Sequence, residues 1–171
     1  MFDIEMSAGG STDIIAEIKK YTDTIKDITS KRADVGIFST NKERNDGRSN
    51  VEIGGAHEFG DPQHNLPKRS FLLKPIADGT LDSNIRKVDF TLDKDLISRV
   101  ATAYLDSVLE EFDTNGKGEW RPLSQETLHR KKQNLDKILT ETEQLRHSLS
   151  KRFVGGKKDY AQMIASEFYM F

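Results

Sequence analysis

Gly54-Gly55-Ala56-His57-Glu58-Phe59-Gly60-Asp61-Pro62, followed by Leu66-Pro67-Lys68-Arg69-Ser70-Phe71-Leu72, gathers turn-formers, aromatics, prolines and charge into one short stretch. Gly54 and Gly55 allow backbone angles that a Cβ forbids. Ala56 to Phe59 read as one helical turn, closed by Gly60 as a left-handed C-terminal cap. Asp61-Pro62 prevents the helix from continuing. Pro67 then starts a second rigid segment, in which Phe71, Leu72 and Leu73 supply apolar anchors.

Upstream, Phe2, Ile4 and Met6 alternate with Asp3, Glu5 and Ser7, the period of a half-buried strand. Gly9-Gly10-Ser11-Thr12 breaks it, and Ser11 or Thr12 is placed to cap a helix. Ile14, Ile15, Ile18, Tyr21, Ile25 and Ile28 share one face at helical spacing and predict an amphipathic helix over 13–29. Ala33 to Ser39 reads as a strand. Residues 41–50 contain nothing apolar and read as a polar excursion, with Val51 and Ile53 as the return strand of a hairpin.

Downstream, a short helix is expected to reach Ala77, kinked or begun at Pro75, and a strand to pass through Val88, Phe90 and Leu92. Leu96, Ile97, Val100, Ala103, Tyr104, Val108 and Phe112 predict a second long helix over 94–112, capped by Asp93 and stopped by Asn115-Gly116 and Gly118. Trp120-Arg121-Pro122-Leu123 leads into a helix capped by Ser124. Thr140 and Glu143 have capping-box spacing ahead of Leu145, Ser148 and Leu149, and Gly155-Gly156 ends the element after them. Tyr160 to Phe171 is rich in aromatics and methionine, a tail expected to dock on its own core or on a neighbouring chain.

At 171 residues the chain reads as a single α+β domain, with 155–171 as a docking C-terminal extension. The net charge of −2 argues against a nucleic-acid binder with a large basic face. Without cysteine there are no disulfides or thiolate metal sites, and a reducing compartment fits. The start lacks a signal-peptide pattern and no apolar run approaches a membrane span, so a soluble protein made inside the cell is expected.

His57-Glu58 invites a metalloprotease reading, but the second histidine of His-Glu-x-x-His would fall at Asp61. His64 lies seven residues on, across Pro62. A metal-dependent hydrolase using His57, Glu58, Asp61 and His64 is the rival of another class. The charges of Glu58 and Arg69 suit an ion pair that fixes the loop, or a contact across a subunit boundary. Gly116-Lys117-Gly118 is too short for a phosphate cradle, so a turn is expected. His129-Arg130-Lys131-Lys132 and Lys68-Arg69 read as solvated basic faces, with a DNA-binding adaptor as a third reading. No Gly-x-Ser-x-Gly elbow or thiol nucleophile is present. The expectation is no catalytic residue, no cofactor and no metal.

Ala56-His57-Glu58-Phe59-Gly60, followed by Pro67-Lys68-Arg69-Ser70-Phe71-Leu72, resembles the Ala-x-x-Glu-Phe-Gly…Pro-x-Arg-x-Phe-Leu signature of the tail-completion (virion-morphogenesis, head–tail joining) proteins of tailed bacteriophages. Pro122-Leu123-Ser124, Thr127…Lys131, Ile138-Leu139 and Thr142-Glu143-Gln144-Leu145-Arg146-His147-Ser148 continue that family's order, with Glu143 where it usually has glycine. The likeness runs from the strand near Val35 to Leu149. It implies a non-catalytic virion protein at the neck, with a small, mostly antiparallel sheet flanked by a long N-terminal helix. The implied partners are further copies of the chain in a ring (six subunits being one option), the tail tube or terminator, and the head connector. DNA would be cargo in the channel, no membrane would be involved, and assembly would take place in the bacterial host cytoplasm. A tail-terminator ring is the nearest alternative. His57, Glu58, Phe59, Arg69, Phe71, Trp120, Tyr160, Phe168 and Phe171 are the candidate interface residues.

Overall fold

The computed structural model describes residues 10–38, 47–132, 135–139 and 143–155. Among them the chain is α+β: seven α-helices and a two-stranded antiparallel sheet. The helices are α1 (Gly10–Thr29), α2 (Asn50–Phe59), α3 (Lys74–Ala77), α4 (Thr80–Ile85), α5 (Leu96–Asp113), α6 (Gln125–Arg130) and α7 (Gln144–Ser148). The strands are β1 (Lys31–Ile37) and β2 (Leu149–Gly155), and a 3-10 turn spans Pro62–His64. The described residues gather into two compact units, one drawn from 10–32, 89–97 and 153–155, the other from the described parts of 33–88 and 98–152. The strand expected over Phe2–Met6 lies outside the described residues.

The hairpin expected after β1 does not form. Val51 and Ile53 belong to α2, because Ser49-Asn50-Val51-Glu52 is a capping box. Ser49 Oγ accepts from the Glu52 N–H at 3.1 Å, and the Glu52 carboxylate accepts from the Ser49 N–H at 3.0 Å. Two otherwise unsatisfied helix-start donors are thereby closed, which outweighs a two-residue β alternation. The partner of β1 is instead β2, where Arg152 Nε lies 3.3 Å from Asp34 Oδ2, 118 residues away along the chain. The Arg152 guanidinium also sits 4.2 Å from the centre of the Phe38 ring.

The core of the larger unit gathers Phe71, Val108, Phe112, Trp120, Ile138, Leu145 and Leu149. The Phe71 and Phe112 rings are 5.0 Å apart and tilted by 57°, and Trp120 meets Phe112 edge-on at 5.8 Å. Polar bonds anchor the aromatics: Trp120 Nε1 donates to Ser70 O at 3.1 Å, and Tyr104 Oη to Leu72 O at 2.8 Å. Asn115, in the turn that stops α5, ties down the segment after α6 by donating to Asp136 O and accepting from Ile138 N–H, both at 2.8 Å. Gly54 lets α2 approach this core closely. A Cβ there would fall 2.6 Å from Ile37 Cδ1 and within 4 Å of Leu145 and Phe71.

Two further expectations are corrected. Residues 86–95 contain no strand. The Asp89 carboxylate accepts from the Thr91 N–H and hydroxyl, a local turn, and Phe90 and Leu92 are exposed. Glu143 is not the third residue of a helix opened by Thr140, which lies outside the described residues. It directly precedes α7 in the left-handed region, with φ +55°. A side chain is disfavoured there, which gives a backbone reason for glycine at that place. Glu143→Gly is therefore expected to stabilise the unit by about 0.5–1 kcal/mol, since its exposed contact with His147 at 3.3 Å contributes little. Thermal denaturation checks this, and an unchanged midpoint would contradict it.

Candidate interaction site

Glu58 organises the central stretch. It stands on the last turn of α2, is 2% exposed, and turns its carboxylate onto the segment leading into α3. Ser70 Oγ donates to it at 2.6 Å, and the N–H groups of Phe71, Leu72 and Leu73 donate at 2.7, 2.9 and 3.1 Å. Three successive amides and a hydroxyl thus satisfy one buried charge. The Arg69 N–H adds a bond to His57 O at 2.7 Å, and Asp61 and Leu66 exchange both backbone bonds between the two halves. Gly60 makes the bend possible with φ +79° and ψ 159°, an extended positive-φ conformation rather than the expected left-handed cap. A Cβ there would also press on the Lys68 backbone at 3.0 Å.

The expected Glu58–Arg69 ion pair is absent, because the Glu58 oxygens are taken by these four donors. Arg69 is itself buried, and its guanidinium donates to Arg121 O at 3.3 Å. Burial lowers the Arg69 pKa, and the nearby Arg121 guanidinium adds to this. Phe71 and Trp120 are likewise core residues, so with Glu58 and Arg69 they support the surface rather than form it. Phe59 is the opposite case: it projects outward and is 69% exposed. Val51, Gly55 and Phe59 recur every four residues on α2, and the position above Gly55 is open. His57 is half-buried. Tyr160, Phe168 and Phe171 lie outside the described residues.

The hydrolase constellation is not assembled. His64 is exposed, with Nδ1 2.6 Å from Asp61 Oδ2, and the ring bond holds the Asp61 carboxyl below its usual range. Among the described residues no three His, Cys, Asp or Glu side chains are placed to hold a metal ion. Gly116-Lys117-Gly118 is a turn whose lysine bonds the Thr80 hydroxyl and lies 3.1 Å from Asp78. His129 and Arg130 are exposed on the last turn of α6, with Arg130 3.4 Å from Glu126. None of the described helices is long and apolar enough to cross a membrane.

A charged cluster with no signature in the sequence lies at the far end of α5. Lys74 reaches Glu119 at 2.8 Å and Asp78 at 3.3 Å. Burial pushes the Asp78 carboxyl up, but bonds from Thr80, Lys117 and Lys74 outweigh it and hold the group well below the carboxylate range. Glu111 is wholly buried, and neither carboxylate oxygen has a hydrogen-bond partner among the described residues. Burial raises its pKa above the ordinary carboxylate value, against the opposing pull of the Lys74 charge. A carboxyl raised by folding contributes stability below its unfolded pKa and loses it as pH rises through the folded value. Glu111→Gln should match the wild type in acid and become the more stable protein as pH rises. Urea midpoints across pH 4–8 check this, and a gap that does not widen with pH would contradict it.

The Glu58 clamp is not legible in the sequence: Ser70 and the non-proline residues ahead of Pro75 supply its donors, but nothing local pairs them with Glu58 rather than leaving it to Arg69. No family model matches the chain, and no curated protein or solved structure is significantly similar to it.

Proposed function

We propose that the chain is a non-catalytic structural protein of a tailed bacteriophage, acting in tail completion and head–tail joining at the neck. The observation that carries this reading is the buried Glu58 clamp, which leaves the adjacent Phe59 as an exposed aromatic on a rigid support. A preorganised aromatic of this kind binds a protein surface with little ordering cost. The resemblance adds weight, because its two halves meet in one core: Phe71 from the first, Leu145 and Leu149 from the second. Its partners in this reading are further copies of itself, the tail tube or terminator, and the head connector. It is made in the host cytoplasm and resides in the virion neck, with DNA only as cargo and no membrane contact.

The test is complementation. Isolated tails lacking this protein should bind the purified chain and regain the ability to join filled heads. Phe59→Asp should abolish joining while the circular dichroism spectrum stays that of the wild type. A folded protein that binds neither tails nor heads would overturn the proposal.

A further inference from the structure

The one long helix of the smaller unit leaves its apolar face open to solvent. On α1 the apolar residues Ile14, Ile18, Tyr21, Ile25 and Ile28 are spaced 4, 3, 4 and 3 residues apart, the a/d seam of a coiled coil rather than a broad core-facing stripe. Ile14, Ile15, Ile18, Tyr21 and Ile25 are each 48–65% exposed. The opposite, polar face is exposed as well and borders a wide groove that Ala16, Lys19, Lys20, Asp23 and Asp27 line with Leu92–Lys94. The stripe also asks for no polar partner. Thr22, Thr24 and Thr29 at its borders turn their hydroxyls back onto the carbonyls of Ile18, Lys20 and Ile25 at 2.8–2.9 Å.

We infer that α1 is a self-association surface, and that its occupant is the α1 of a second copy of this chain. Three features choose a copy over a different protein. Coiled-coil seams that select a foreign partner do so with charges at the bordering e and g positions. Here those positions are Ile15, Glu17, Thr22, Thr24 and Thr29, so the seam meets its own copy with almost no like-charge repulsion. Ile14, Ile15, Ile18, Tyr21 and Ile25 expose on the order of 500 Å² per chain, so two copies hide up to about 1,000 Å² of apolar surface, the threshold for a specific interface before any rim is added. An isoleucine-rich seam also packs well on itself, and antiparallel copies would align opposite helix dipoles. The inference rests on α1 alone and not on the phage reading.

Mass by light-scattering chromatography tests it on the full chain. The wild type should run as two chains or an even multiple, and Ile18→Glu should halve that mass. Ile18→Ala with Ile25→Ala should do the same, and because alanine favours the helix, that loss cannot be put down to α1 unfolding. Lys20→Ala, on the opposite face, should leave the mass unchanged. A monomeric wild type overturns the inference, as does an oligomer indifferent to both seam variants. If deleting 156–171 from a monomer produced the dimer, the chain's own tail would occupy the seam, and the inference would fall. Mass gained only with isolated tails would place another protein's helix there and overturn the inference equally. Failure of head joining with the dimer intact would count against the phage reading only.

Discussion

Glu58→Ala is expected to destabilise the larger unit by about 4 kcal/mol, enough to leave little of a typical domain's stability. The substitution removes no large apolar surface. It strands the N–H groups of Phe71, Leu72 and Leu73 and the Ser70 hydroxyl in an environment where the carboxylate was 2% exposed. Each orphaned buried donor costs about 1–3 kcal/mol, partly relieved if water enters. Glu58→Gln separates charge from shape. The amide fits the same space, but one of its two ends is a donor facing donors, so roughly half the loss should remain. Urea denaturation checks both variants: the midpoint should fall with an unchanged slope, in the order wild type, glutamine, alanine. A loss below about 1 kcal/mol for alanine would mean that the clamp does not hold the segment.

Phe112→Ala should cost a similar amount, about 3–5 kcal/mol, by a different mechanism. The Phe112 ring is wholly buried between Phe71 and Trp120, and it joins the end of α5 to the central stretch. Its removal leaves a void that its neighbours cannot fill. Trp120 is held from the far side by its bond to Ser70 O, and Phe71 by the backbone that Glu58 fixes. Trp120 is the chain's sole tryptophan, so its fluorescence reports this site alone. Emission should shift to the red in the folded variant as water reaches the ring. Phe112→Leu should shift it less and cost less. An unshifted spectrum with wild-type stability would mean that the core closes over the gap.

The elements legible in the chain are those whose cause is local. The α1 stripe, the α5 face, the Ser124 cap and the Pro75 turn each depend on residues a few positions apart, so spacing and capping chemistry suffice. Val51 and Ile53 depart from their strand-like pattern for a cause that is also local, because alternation over three residues is a weaker signal than the Ser49–Glu52 box beside it. The candidate interface is legible as a stretch but not side chain by side chain. Glu58 and Phe59 are adjacent, yet one is buried and the other exposed.

Helix positions and the break at Gly60-Asp61-Pro62 follow from short-range sterics and hydrogen bonding, which act within one or two turns and are written into neighbouring residues. The pairing of β1 with β2, the meeting of Phe71 with Phe112, and the choice of backbone amides over Arg69 as partners for Glu58 follow from how the chain closes on itself. Such contacts are selected by how well whole surfaces fit against one another, a property that no local window carries. The exposure of α1 belongs with these: its amphipathicity is local, but that its apolar side stays open is decided by the folded chain as a whole.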